Sequence, residues 1–517
     1  MKIHTSHSIR TLDKRAAEHG SMPGVVLMEN AGRAVFEAMV QKYGDLRGRD
    51  VHVACGTGNN GGDGFVVARY LRLAGAWVTI SIAGDPESIT GDALTHFRIM
   101  HDMGIEPWPA SPGPVYVKVD ALMGTGAKGA PHGEVAEAIR RLNADHSPTV
   151  AVDIPSGVDP DTGIIAGDAV RAAMTVTFAF PKPGLFLLPG ADNVGELVVD
   201  PIGFDWESLN PESSIEWIQP RDLESVLPRR KRDAHKGMFG HLLCVGGSLG
   251  MSGAITMTAK SAIRTGVGLV SIATSCSAQP IIAGSIQEAM TIPLEEKSGS
   301  ISEGAFDQIK SASERCDAIC IGPGLTNTPD TSELVRRVLA EIPLPVVVDA
   351  DGLNVLAGKP EWTLGRRQPV IMTPHPGECG RLLGVSTHDV QSGRLVVVRE
   401  TAYRYGAIVA LKGAGTVIAD GRGVQEHGVS GMVAAFNTTG NPGMSTGGAG
   451  DVLTGIIGAL LAQGIEAFDA VRLGVYLHGC AGDVAAESLG IVGLKADDII
   501  EALPSAIRAL QNKGIQT

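Results

Sequence analysis

At 517 residues the chain is too long for one ordinary hydrophobic core, so two or more domains are expected, and 44% hydrophobic with 19% charged residues is the balance of a soluble globular protein. A formal net charge of -13, with no basic stripe beyond the short run Arg229-Arg230-Lys231-Arg232, argues against nucleic acid as a partner. Seven scattered cysteines without a CxxC pair, no apolar run of membrane-spanning length and no secretory signal pattern at the N-terminus lead to the expectation of a cytoplasmic protein, with neither structural zinc nor a membrane partner.

In chain order, Thr11 to Tyr43 reads as helical. Strands are then predicted at Val51–Cys55, Trp77–Ile82, Val115–Val119 and Val150–Val152, followed by Met174–Phe180 and Glu196–Val199. The loop GTGNNGGDG follows the first of these strands, ALMGTGAKGA follows Asp120, and IPSG follows Asp153. Strands alternating with helices imply parallel pairing, and ligands in such sheets sit beyond the carboxyl ends of the strands. The stretch from Pro201 to His235 mixes proline, serine and charge without periodicity and reads as a junction, dividing the chain into domains 1–218 and 219–517. A second α/β series follows. Its strands are His241–Val245, Leu269–Ala273, Ala318–Ile321, Val346–Val348 and Val370–Met372, with a helix at Ile255–Thr265 and a paired turn of strands at Ala407–Lys412 and Thr416–Asp420. Finally NPGMSTGGAGD opens into the helical run VLTGIIGALLAQG.

Gly56 to Gly61 satisfies GxGxxG, and Asp85 stands at roughly the distance of a ribose-binding acid, so a dehydrogenase is one reading. Against it, the loop carries Asn59, Asn60 and Asp63, and two further strand ends present Asp120 and Asp153 beside Gly-rich turns. Converging carboxylates and amides suit a cation or proton-transfer site better than hydride transfer. Taken singly, each loop is also explained as a plain turn or cap.

The segments LMENAG, NNGGDG, DALMGTG and DIPSG together resemble the NAD(P)H-hydrate epimerase family over most of the first two hundred residues. The resemblance implies a Rossmann-like three-layer α/β/α fold and interconversion of the R and S hydrates of NADH and NADPH. It also implies K+ held through Asn60, Asp120 and Ser156. Substrate contacts carry over to Asn59, Asn60, Gly61, Gly62 and Asp63, to Gly124, Thr125, Gly126, Ala127, Lys128, Gly129 and Ala130, and to Asp153, which is expected to be the acid/base residue.

In the second half, Gly447 to Asp451 places backbone amides and a carboxylate at a helix start. Amides there can hold a transferring phosphoryl group while Asp451 takes a proton from an alcohol. Lys412 to Thr416 adds a cation and turn amides suited to a nucleotide phosphate. The segments GGSLGMSGA, IGPGL, DADGLN, HPGE, LKGAGT and NPGMSTGGAGD resemble ADP-dependent (S)-NAD(P)H-hydrate dehydratases of ribokinase-like fold, from Lys236 almost to the C-terminus. The resemblance implies substrate contacts at Ala254, Gly324 and His375, ADP contacts at Lys412, Gly413, Ala414, Gly415, Thr416 and Gly450, and Asp451 as base. Mg2+ is expected with the nucleotide; Asp349 and Asp351 read equally as turn formers or as magnesium-linked. The competing readings are a small-molecule kinase fused to an unrelated domain and a non-catalytic nucleotide-binding N-terminal half. The apolar content makes a homo-oligomer the expected assembly.

Overall fold

Short β-branched segments punctuated by Gly-rich turns build the first sheet. A computed structural model describes residues 1–18, 22–108, 114–126, 128–209, 213–227, 230–423 and 429–513. The chain divides into two compact units, Lys2–Ser213 and Ser214–Thr517, the latter joined by Met1.

In the N-terminal unit, β1 (Asp50–Cys55), β2 (Trp77–Ile82), β3 (Val117–Ala121), β4 (Thr149–Val152), β5 (Met174–Phe178) and β6 (Glu196–Asp200) form one sheet in the order β2-β1-β3-β4-β5-β6. Every pair is parallel, with Val53 opposite both Ile80 and Val119. The order reverses between β1 and β3, so a crevice opens at their carboxyl ends.

The segment predicted as one helical stretch is two helices, α1 (Ser6–Glu18) and α2 (Gly24–Tyr43). Pro23 precedes α2 with extended backbone; its ring forbids a continuous helix through this point. Helices α2, α3 (Asn59–Leu73) and α4 (Gly91–Asp102) pack on one another, and Met28, Val35, Phe65, Val67 and Met100 join the β1 and β3 side chains in one cluster. On the other face α5 (Gly133–Ala144) packs Ile139 and Leu142 against Ala54 and Leu122. The unit is thus a Rossmann-like three-layer α/β/α sandwich.

The C-terminal unit contributes β7 (Ile215–Trp217), β8 (His241–Val245), β9 (Leu269–Ser275), β10 (Met290–Leu294), β11 (Ala318–Ile321), β12 (Val346–Val348), β13 (Val370–Met372), β14 (Ile408–Leu411), β15 (Thr416–Asp420) and β16 (Ala434–Asn437). Their order is β7-β16-β15-β14-β13-β12-β11-β8-β9-β10. Pairing is parallel except that β15 is antiparallel to both neighbours, β14 and β16. On one face α6 (Ser252–Thr265), α10 (Ala449–Ala462), α11 (Ala467–Leu489) and α12 (Ala496–Lys513) bury Leu242, Cys244, Cys320, Val347 and Ile371 in a single cluster. The alternate residues Leu243, Ile319, Val346 and Val348 are equally buried, so the opposite face is covered too. There α9 (Arg394–Tyr405) packs on β14 and β15. α7 (Pro329–Glu341) and α8 (Pro376–Leu383) complete the α/β unit. Among the described residues, no helix is long and apolar enough to cross a membrane.

Candidate active sites

The first site lies at the carboxyl ends of β1, β3, β4 and β5. After β1 the chain makes one short turn and enters α3 at Asn59, so NNGGDG is the first turn and a half of a helix and not the loop expected from its glycines. Close approach requires those glycines: a Cβ on Gly61 would stand 1.9 Å from the Gly56 carbonyl oxygen. Asn59, Asn60 and Asp63 thereby line a cavity of ≈ 590 Å³ together with Gly124, Thr125, Gly126 and Asp153. Gly61 and Gly62 are packed behind its wall, Gly62 against the Met28 sulfur. Gly129 lines a neighbouring hollow of ≈ 310 Å³, while Lys128 and Ala130 are exposed and line neither; Ala127 lies outside the described residues. The candidate dehydrogenase acid Asp85 caps a short turn, accepting from the Glu87 amide at 2.9 Å.

Asp120, at 0% exposure, accepts hydrogen bonds from Ser156 N (2.8 Å), Ser156 Oγ (2.6 Å) and Leu122 N (3.2 Å). Burial pushes its carboxyl up to about 6, against the pull of those bonds. Asn60 Nδ2 donates to the Met123 carbonyl at 3.0 Å, and Ser156 Oγ accepts from Met123 N at 2.9 Å. The three residues expected to hold K+ are therefore knitted together around Met123. Asp153 follows β4 with φ 67, a left-handed conformation that costs a non-glycine residue on the order of 1–3 kcal/mol and that aims side chains at functional sites. Its Oδ1 accepts from Lys182 Nζ at 2.5 Å and Thr177 Oγ1 at 3.1 Å. Neither partner figured in the sequence reading. Burial, reinforced by Asp153 and Asp13, raises the Asp63 carboxyl well above the ordinary range.

The second site surrounds the start of α10. Gly448 precedes that helix at φ 93, a position favouring glycine, and leaves the first amides of α10 free of helical partners. Gly450 must be small as well, since a Cβ there would stand 3.1 Å from Lys412 Nζ. His375, Lys412, Gly413, Ala414, Gly415, Thr416 and Gly450 line one cavity of ≈ 820 Å³. Ala254, Gly324 and Asp451 are not among the residues that line it. Ala254 reaches the site through Thr258, whose hydroxyl lies 3.2 Å from the Ala254 carbonyl and 3.1 Å from that of Asp451. Gly324 sits in a loop tied by its carbonyl to Ser248 N at 2.7 Å.

Asp349 and Asp351, left open by the sequence, separate clearly. Asp349 is 1% exposed and accepts from Lys412 Nζ and from Thr454 Oγ1, each at 2.7 Å. Asp351 instead accepts from Thr326 N at 2.9 Å. Burial acts to lower the Lys412 pKa, but Asp349 and Glu378 outweigh it and hold the ammonium above its ordinary value. Asp451 is pushed up to about 7 by burial, with Asp349 adding to the shift and Lys412 opposing it. Glu378 is also raised, chiefly by burial. His375 caps α8, its Nδ1 accepting from Gly377 N at 3.0 Å. On α11, Asp483 holds the NPGM segment by accepting from Gly440 N (2.9 Å) and Asn441 Nδ2 (3.0 Å). Sequence reading missed Thr454, Glu378 and Asp483. Only Glu378 left a signal, as the acid three residues after His375 in HPGE.

A hollow of ≈ 960 Å³ between α6 and α12 is larger, but it carries none of the Gly-rich loops; its Arg264 and Lys260 are paired with Glu501 and Asp497.

The geometry defines a two-site α/β enzyme, with a carboxylate-lined cavity on a Rossmann-like unit and a glycine-rich helix entry beside a second cavity on a ribokinase-like unit. One family model, described as YjeF-related protein N-terminus, matches residues 24–184, and another, described as NAD(P)H-hydrate dehydratase, matches 242–505. The bifunctional NAD(P)H-hydrate repair enzyme Nnr of Moorella thermoacetica is 41% identical, over 99% of this chain and 98% of that protein. Its Escherichia coli K12 counterpart is 36% identical over 96% and 92%. The crystal structure of the ADP/ATP-dependent NAD(P)H-hydrate dehydratase of Bacillus subtilis, co-crystallised with ATP and Mg2+, aligns at TM-score 0.50 and 30% identity, covering 58% of this chain and all of that one. The chain belongs to the bifunctional NAD(P)H-hydrate repair enzymes.

Proposed function

We propose that this protein repairs hydrated nicotinamide cofactors, its N-terminal unit interconverting the R and S hydrates of NADH and NADPH. Its C-terminal unit dehydrates the S form at the expense of ADP, giving AMP and phosphate. The observation that carries this is Asp451, a carboxyl poised near neutrality beside the free amides of α10 and the Lys412 ammonium.

The hydrate's hydroxyl is a poor leaving group. Asp451 takes its proton as the oxygen attacks the β-phosphoryl group of ADP, and the α10 amides with Lys412 receive the charge that develops. AMP departs. Phosphate then leaves the ring carbon as the nitrogen's electrons form an iminium, and loss of a proton from the neighbouring ring carbon restores the dihydronicotinamide. Asp349 fixes Lys412 for this work, and Thr454 fixes Asp349. Carboxylates outnumber the ammonium here, which suits a nucleotide arriving with Mg2+; the metal would neutralise the phosphates, and no dedicated cage of three ligating side chains occurs among the described residues.

In the N-terminal unit Asp153 is the proton-transfer residue, and Asn59, Asp63 and Gly124 to Gly126 bound the substrate. Asp120, buried with only neutral donors around it, fits a monovalent cation held together with Asn60 and Ser156, all through hard oxygens. K+ would supply a fixed positive charge at that wall. Small-molecule substrates, a homo-oligomeric assembly and a cytoplasmic location complete the proposal.

The test is recovery of NADH absorbance from a mixture of R and S hydrates supplied with ADP, Mg2+ and K+. Complete, ADP-dependent recovery that slows when choline replaces K+ is expected. No recovery with ADP or ATP would overturn the dehydratase assignment and direct attention to hydroxylated metabolites as kinase substrates.

A further inference from the structure

Lys182, at 1% side-chain exposure, lines the N-terminal cavity just beyond β5. A buried ammonium is costly unless each of its donors is used. Here Nζ donates to Asp153 Oδ1 at 2.5 Å, Thr177 Oγ1 at 2.9 Å and the Phe178 carbonyl at 3.3 Å. Thr177 Oγ1 donates in turn to the same Oδ1 at 3.1 Å. Both bonds fall on one oxygen. Among the described residues Asp153 Oδ2 accepts no hydrogen bond, although Asp153 lines the cavity.

The charges around this pair come from several elements. Asp13 and Arg10 on α1, Asp63 on α3 and Asp92 on α4 all line the same cavity. His4 lies against the Phe180 ring, 4.3 Å between centroids, and is kept neutral by burial, with Lys2 and Lys182 adding to the effect. Without Lys182, Asp153 would share the cavity with three other carboxyls, and among its described lining residues Arg10 alone would carry a positive charge.

We propose that Lys182 is a positioning residue for epimerisation: its ammonium pins Oδ1 of Asp153 and balances its charge, leaving Oδ2 to take the proton of the hydrate's hydroxyl as the adjacent carbon–nitrogen bond opens to an aldehyde, and to return it when the nitrogen recloses on the other face. This rests on the epimerase reading of the N-terminal unit. The bonds that hold Lys182 saturate it, so it reaches no substrate atom and acts only through Asp153.

The experiment measures the pH profile of R-to-S epimerisation by the full-length protein carrying Lys182→Met, Lys182→Arg or Thr177→Val. Lys182→Met is expected to lose roughly 10²-fold in kcat at pH 7, within the range of a general base, with KM little changed and with activity returning as pH rises toward 9. Its acid limb lies above that of the unmodified protein. Lys182→Arg keeps the limb near its original place, and Thr177→Val moves it less far in the same direction. ADP-dependent recovery of NADH from pure S hydrate stays unchanged throughout. A uniform loss across pH, with the limb unmoved in both Lys182→Met and Thr177→Val, overturns the proposal. If Lys182→Met fails to fold, Thr177→Val decides by the same criterion. An unmodified protein with no epimerase activity at all would instead overturn the reading of the unit itself.

Discussion

At the scale of single residues, Asp451 sets catalysis against stability. In the proposed role of base it acts only when ionised, so dehydratase kcat/KM should fall roughly tenfold per pH unit below about 7 and level off above it. Asp451→Asn should remove the activity by roughly 10²–10⁴-fold. Folding has the opposite preference. The unfolded carboxyl titrates near its ordinary 3.8 and the folded one near about 7, so the folded state holds its proton more tightly and the native protein loses stability as pH rises between those values. Asparagine carries no such penalty. The thermal midpoint of Asp451→Asn should therefore match that of the unmodified protein near pH 4, exceed it increasingly up to pH 7, and keep a constant lead above. A lead independent of pH would mean that burial of the charge is not what raises Asp451.

Among the elements, the pair α6 and α10 shows what the sequence could and could not disclose. Leu242, Cys244, Val347 and their neighbours were legible as strands because short apolar runs end at Gly-rich turns. The start of α10 was legible from its glycines and apolar spacing. The interior of that helix was not: Gly455 looks like a weak point in a helical run, yet it lies against α6, where a Cβ would stand 2.0 Å from the Thr258 carbonyl oxygen. Gly455→Ala gains helix propensity but must push α6 away, and overpacking of this kind costs about 1–3 kcal/mol. The calorimetric transition that ADP shifts is expected to move down; an upward shift would mean the helices have room. Similar limits apply at the sites. Asp153 and Asp120 were recognisable because each ends a strand before a Gly-rich turn, whereas Lys182 and Thr454 are distant in sequence from the carboxylates they orient. NNGGDG was misjudged as loop since three glycines argue against helix locally. Tertiary contact overrides that preference by demanding the smallest side chain beside Met28 and Ala93 at Gly62 and beside Ala121 at Gly64. Asp349 stayed ambiguous for a related reason, because only the fold brings Lys412 to it.

For the whole molecule, two activities on one chain raise the question of whether the link itself matters. Spontaneous hydration yields both epimers and the dehydratase takes one, so each activity completes the other whether or not the substrate leaves the protein between them. With a mixed hydrate, Asp153→Asn should stop at the S fraction and continue only as fast as the R form epimerises unaided. Asp451→Asn should recover no NADH. Mixing the two variants restores both sites, now on separate chains. If the S hydrate diffuses freely, this mixture should follow the same time course as the unmodified protein at equal concentrations of each site, and dilution should slow both alike. A lag in the mixture that lengthens on dilution, absent from the unmodified protein, would show that the S form passes between sites without mixing with bulk solution. Equal courses are expected, because each unit has its own cavity within its own fold.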